Sequence, residues 1–177
     1  MNKNSRFTSN GFRLAVLALA FAGTGSAIAA VATATSTGTV VAPIAISKAV
    51  DLSFGSFASS ATAGTITISP NNARAVTGGV TLAGGTSTAA KFDVSGTGTA
   101  TYSITFGGSA VLTSGSDTMA FTRVSDLSAS AITSGDVTAG ALTAGAQSIY
   151  VGGVLAVAAS QPAGAYTGTV TATVEYN

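Results

Sequence analysis

The stretch Tyr166-Thr167-Gly168-Thr169-Val170-Thr171-Ala172-Thr173-Val174-Glu175-Tyr176 alternates without a break. Its even positions, Tyr166, Gly168, Val170, Ala172, Val174 and Tyr176, are apolar or small, while the odd ones are Thr167, Thr169, Thr171, Thr173 and Glu175. Successive side chains of a β-strand point to opposite faces, so this pattern predicts a long strand with one buried face. Upstream the alternation recurs at Thr65–Ser69, at Lys91–Ser95 and at Ala100–Phe106, where Ala100, Tyr102, Ile104 and Phe106 share a side. Between them lie Pro70-Asn71-Asn72, Gly84-Gly85, Gly96-Thr97-Gly98, Gly107-Gly108 and Ser114-Gly115-Ser116. These residues supply the positive φ of tight turns. Short strands between turn signals predict an all-β antiparallel sandwich or barrel. No segment after residue 30 sustains a helical period.

One glycine pair reads differently. Ile149, Val151, Leu155 and Val157 keep the same parity across Gly152-Gly153, which predicts a single strand running through a flexible or bulged point rather than a hairpin.

Composition agrees with a sheet protein. Of 177 residues 46% are hydrophobic, enough for one domain with a real core, and only 7% are charged, with small and β-branched residues filling most of the rest. There is no cysteine, so hydrogen bonding and packing must hold the fold without disulfides.

The N-terminus reads as a secretory signal over residues 1–30. Lys3, Arg6 and Arg13 form a basic head, Leu14–Ala22 an apolar run too short to span a bilayer, and Ser26–Ala30 a small-residue processing site. Cleavage after Ala29 or Ala30 removes three of the seven basic residues, leaving four against six acidic ones, a net charge of −2. Nothing basic then remains to hold nucleic acid or anionic lipid, and no transmembrane segment follows the signal. Export through the periplasm to the cell surface or beyond is the expectation.

Residues 31–47 read as an N-terminal extension, with the sandwich domain over 48–177. The even positions from Ala32 are Ala32, Ala34, Ser36, Gly38, Val40, Ala42, Ile44 and Ile46, while Thr33, Thr35, Thr37 and Thr39 fill the odd ones. This is a strand-competent arm with an apolar stripe, interrupted by Pro43, which removes one ladder donor. A second cluster, Val50, Leu52, Phe54 and Phe57, opens the body of the domain. On pattern alone the arm is equally well the first strand of a complete sandwich.

The ending Gln161-Pro162-Ala163-Gly164-Ala165-Tyr166-Thr167-Gly168, followed by an alternating strand with Tyr176 before Asn177, resembles that of chaperone–usher pilus subunits of the archaic, spore-coat-U-like group. The start, with Val41-Ala42-Pro43-Ile44 and Leu52-Ser53-Phe54-Gly55, is similar to a family of exported proteobacterial proteins described only as a domain of unknown function. The pilin resemblance implies an immunoglobulin-like sandwich lacking its last strand and completed by the N-terminal donor strand of another subunit. It implies Gly38, Val40, Ala42, Ile44 and Ile46 as the inserted face. The groove and its chaperone contacts would come from Val170, Ala172, Val174, Tyr176 and Asn177, the last offering its carboxylate. Identical or related subunits, a periplasmic chaperone and an outer-membrane usher are the implied partners. The disulfide of many such pilins is absent here, and the arm is rich in alanine.

Catalysis is poorly supported, and no cofactor is expected. Histidine and cysteine are both absent, so the commonest general base, the nucleophilic thiol and the usual transition-metal ligands are missing. Asp117, Asp126 and Asp136 sit beside Ser, Gly or Thr in turn-like contexts that suit solvated loop acids better than a carboxylate pair or a Ca²⁺ site. Ser47 and Lys48 are strand neighbours pointing to opposite faces, and Gly96-x-Gly98 lacks a third glycine and a following helix. Two functions stay in play: a structural subunit of a pilus or fimbria-like fibre, and a self-contained secreted or surface sandwich that binds glycan or protein.

Overall fold

The computed structural model describes residues 29–177; the basic head, apolar run and most of the processing site of the expected signal lie outside them. Residues 29–38 belong to a first unit and have no regular secondary structure; Thr39–Asn177 is the second.

The second unit is all-β. Its strands are β1 (Ala45–Val50), β2 (Phe57–Ile68), β3 (Arg74–Leu82), β4 (Ala90–Ser95), β5 (Thr101–Gly108), β6 (Val111–Ser114), β7 (Asp117–Asp126), β8 (Ala139–Ala141), β9 (Ala146–Val157) and β10 (Val170–Tyr176). Every strand pairing is antiparallel, and the strands form two sheets, the architecture of a β-sandwich. No helix occurs among the described residues, and so none is long and apolar enough to cross a membrane, which says nothing of spanning by strands.

The larger sheet is organised around β9. Its first half, Ala146–Val151, pairs with β4, and its second half, Gly153–Val157, pairs with β2. The opposite edge pairs with β7 over Tyr150–Leu155. Two wings, β4–β1 and β2–β3, therefore leave one edge of β9 from different halves, while β7 and β6 extend the other edge. The change of partner falls at Gly152-Gly153, through which the strand runs unbroken, as the shared parity of Ile149, Val151, Leu155 and Val157 predicts. Both glycines are buried, and bare backbone there lets three strands crowd together.

The smaller sheet has the order β10-β5-β8. The inward parity read from sequence holds: Tyr102, Ile104 and Val174 are buried, while Thr171, Thr173 and Glu175 are exposed. One core cluster lies between this sheet and the β4 half of the larger one, joining Phe92, Val94, Tyr102, Ile104, Ile149 and Val174. The other gathers Phe54, Ile66, Ile68, Met119, Phe121 and Leu155 under the β2–β7 half. There Phe54 and Phe121 meet edge to face, with centroids 6.1 Å apart.

Two local readings are corrected. The final strand begins at Val170, not Tyr166: the Tyr166 ring turns against the second cluster, and Thr167 forms an isolated bridge with Thr113 of β6. Gly107-Gly108 is the end of β5, paired with Thr171 and Val170, rather than a free turn.

Candidate functional site

The described residues form a groove of about 1210 Å³. One wall is the segment from Lys48 to Ser59 and the other the segment from Gln161 to Thr171. Its floor is apolar, with Phe54, Phe92, Met119, Phe121 and Leu155 reaching it from both core clusters. Among the described residues β1 pairs only with β4, and β10 only with β5. Each therefore keeps one unpaired edge, and residues of both, Lys48 and Val50 from β1, Val170 and Thr171 from β10, line the groove.

Local interactions hold each wall in place. The Arg74 guanidinium donates to the carbonyls of Ser56, at 2.6 Å, and Gly84, at 3.1 Å. Ser53 exchanges backbone hydrogen bonds with Thr88. Together these tie the first wall to the 84–88 loop on the side away from the groove. Across the groove, the Tyr166 hydroxyl donates to the Pro162 carbonyl and accepts from Gln161 Nε2, each at 2.8 Å. The Gln161 carbonyl accepts from Ser59 Oγ at 2.9 Å, closing one end of the groove. The resemblance-bearing run Gln161–Gly168 is thus a shaped wall without regular strand, whose Pro, Ala and Gly residues keep it shallow.

The structure distributes the expected site residues unevenly. Val170 lines the groove. Val174 is buried in the core, and Ala172 and Tyr176 pack beside it. Asn177 is exposed, its N–H donating to the Thr101 carbonyl at 3.2 Å. In the arm, Val40 is 98% exposed, whereas Ile44 and Ile46 pack on the chain's own core, with Ile46 opposite Val94 in β1–β4. Gly38 belongs to the first unit. Ala42 is held by hydrogen bonds to Thr97 and Tyr176. The groove floor was missed by sequence reasoning, because Phe92, Met119, Phe121 and Leu155 come together only through pairing that no local pattern announces.

The aspartates serve local structure. Asp136 receives two hydrogen bonds from Arg123, at 2.8 and 3.2 Å, and one from Ser125 Oγ at 2.9 Å. Arg123 in turn lies over the Phe106 ring, 4.5 Å from its centroid. Asp126 accepts from the Leu127 N–H and the Ser128 hydroxyl. Asp117 pairs with Ser114 at the β6–β7 turn. Asp93 is held below the usual carboxylate range by hydrogen bonds from Ser148 and then Lys91. Among the described residues no three His, Cys, Asp or Glu side chains converge as a metal site would need.

A family profile described as a domain of unknown function (DUF4402) matches residues 44–176. The match runs from the residue before β1 to the last residue of β10, so it covers both sheets and both groove walls, takes in the last four residues of the arm and leaves residues 31–43 outside. No curated protein and no solved structure matches the chain. With most of its length matched, the chain belongs to that family of unknown function.

Proposed function

We propose that this chain is an exported structural subunit whose groove receives the N-terminal arm of a second copy, joining copies end to end into a pilus- or fimbria-like fibre. The observation that carries this reading is an apolar groove flanked by two unpaired strand edges. Such an arrangement favours capture of an extended segment: ladder hydrogen bonds supply affinity, and pockets for alternate side chains supply specificity. The arm is the occupant because its residues 31–43 precede the matched domain, alternate apolar or small residues with threonine up to Val40, and present Val40 fully. With Ile44 and Ile46 engaged at home, the donated stripe is the part that ends with Gly38 and Val40.

A periplasmic chaperone would cover the groove in transit and meet the Asn177 carboxylate, and an outer-membrane usher would pass subunits to the surface. Nothing in this role calls for a cofactor or a catalytic step. A self-contained sandwich that binds glycan or protein in the groove is the competing reading, favoured by the packing of Ile44 and Ile46 on their own core.

Val40→Asp in the full chain separates the two. The residue is exposed, so the substitution leaves the subunit's own stability unchanged, while an unpaired charge in an apolar groove blocks insertion. Export in a bacterial host should give fibres and SDS-resistant ladders for the unaltered chain and for Thr39→Asp, and neither for Val40→Asp. A protein that stays monomeric and is equally stable without residues 31–41 overturns the proposal.

A further inference from the structure

We propose that Tyr176 and Thr97 form a latch that fixes the point and direction in which the arm leaves the domain. The Tyr176 hydroxyl donates to the Ala42 carbonyl at 3.0 Å and accepts from the Thr97 N–H at 2.8 Å. Thr97 Oγ1 accepts from the Ala42 N–H at 2.8 Å and reaches the Ala42 carbonyl at 3.4 Å. Both backbone polar groups of Ala42 are thus held, three residues before β1 begins, by side chains 55 and 134 residues away in sequence.

Two neighbouring residues belong to the same device. Pro43 follows at once, with its ring-locked φ, and restricts Ala42 to extended backbone. Gly96 gives the tyrosine its place, because a β-carbon there would collide with the Tyr176 hydroxyl. The held residue is then followed outward by Val41 and Val40, which are exposed.

The latch sits at one end of β10 and the groove at the other. Val170 and Thr171 line the groove, and Tyr176 is six residues on, about 20 Å along the strand. The arm root and the groove therefore occupy opposite ends of the same strand, and the root is rigid. Its consequence in a fibre rests on the proposed reading of the arm: a clamped root gives a stiff, polar link, where a free root would give a loose one. The latch itself is a property of the single chain.

Because the chain has no cysteine, two can be introduced for spin labels without interference, at the exposed positions Val40 and Thr105. The distance distribution between them should be narrow in the parent and at least twofold broader in Tyr176→Phe, which keeps the ring and loses the hydroxyl. Thr97→Val should broaden it as well, and should speed exchange of the Ala42 amide by tenfold or more. Circular dichroism and the urea midpoint establish that each variant is folded; if one is not, the other decides. Equal widths and equal exchange in the folded variants overturn the latch. In fibres the same substitutions should lower the persistence length severalfold. Absence of fibres from the parent would overturn the assembly reading, while the spin-label distances would still decide for or against the latch.

Discussion

The backbone carbonyl of Ile68 occupies the space that a β-carbon on Gly152 would need. Gly152 lies where β9 exchanges β4 for β2 along one edge, and Val124 of β7 is its partner on the other. Gly152→Ala must therefore push two strands apart in a closely packed sheet. The expected cost is about 2–3 kcal/mol, read from the urea midpoint at constant m. At Gly153 the nearest obstacle is the edge of the Phe121 ring, and the backbone obstacle, the Thr122 carbonyl, stands farther off than the Ile68 carbonyl does at Gly152. Gly153→Ala should cost less than Gly152→Ala, and the reverse order would show that the exchange of partners is not what crowds this point.

Val174 is 8% exposed and faces the core, whereas Thr173, its neighbour on β10, faces solvent. Val174→Asp places an unpaired carboxylate among Tyr102, Ile104 and Ile149, at about 3 kcal/mol or more, and should prevent accumulation of folded protein. Thr173→Asp should leave the level within about twofold, a change of roughly 0.5 kcal/mol or less. Soluble yield after export measures both, and equal losses would refute the assignment of faces.

Ser125 is only 1% exposed, and its hydroxyl donates to Asp136 while accepting from the Val137 N–H at 3.0 Å. Its own N–H donates to the Gly135 carbonyl. This clasp, with Arg123 on the outer side of Asp136, secures the far end of the loop that follows β7. Ser125→Ala strands the Val137 N–H and should cost about 1–3 kcal/mol. Limited proteolysis should cut within residues 127–137 before any other site, and an unchanged cleavage pattern would show that the loop is held by other contacts.

Much of this fold was legible because period-2 alternation depends only on near neighbours. Tyr102, Ile104 and Val174 announce their inward face, and the parity across Gly152-Gly153 announces one strand. Tyr166 has the right parity for β10 but not its backbone, since a hydroxyl bond to Pro162 and packing on Phe54's cluster decide its place. Gly107-Gly108 looks like a turn and is a ladder end, because its partners Thr171 and Val170 lie more than sixty residues away. The groove, expected from the pilin resemblance alone, was out of reach of the strand pattern for a deeper reason. It is defined by edges that remain unpaired, and a missing pairing leaves no mark on either strand. Ile44 and Ile46 carry the same stripe as Val40, yet pairing with β4 from Ala45 onward draws them into their own domain.

Tyr102 is fully buried, its hydroxyl finds no hydrogen-bond partner among the described residues, and Gly140 packs directly against that hydroxyl. Burial raises its pKa above the ordinary tyrosine value, because the phenolate would lose its hydration with nothing to replace it. A group whose folded-state pKa is raised contributes its full stability below the unfolded pKa of about 10 and loses it as pH rises toward the folded value. The protein should therefore lose stability progressively above about pH 10, in a phase that Tyr102→Phe removes. At neutral pH the same substitution deletes an unpartnered buried hydroxyl while keeping the ring, so it should raise stability by about 1 kcal/mol rather than lower it. Urea titrations of both proteins at neutral pH and above pH 10 measure the two effects. A Tyr102→Phe protein that is less stable at neutral pH, and that keeps the alkaline phase, would show that the hydroxyl has a partner and that another group controls the loss.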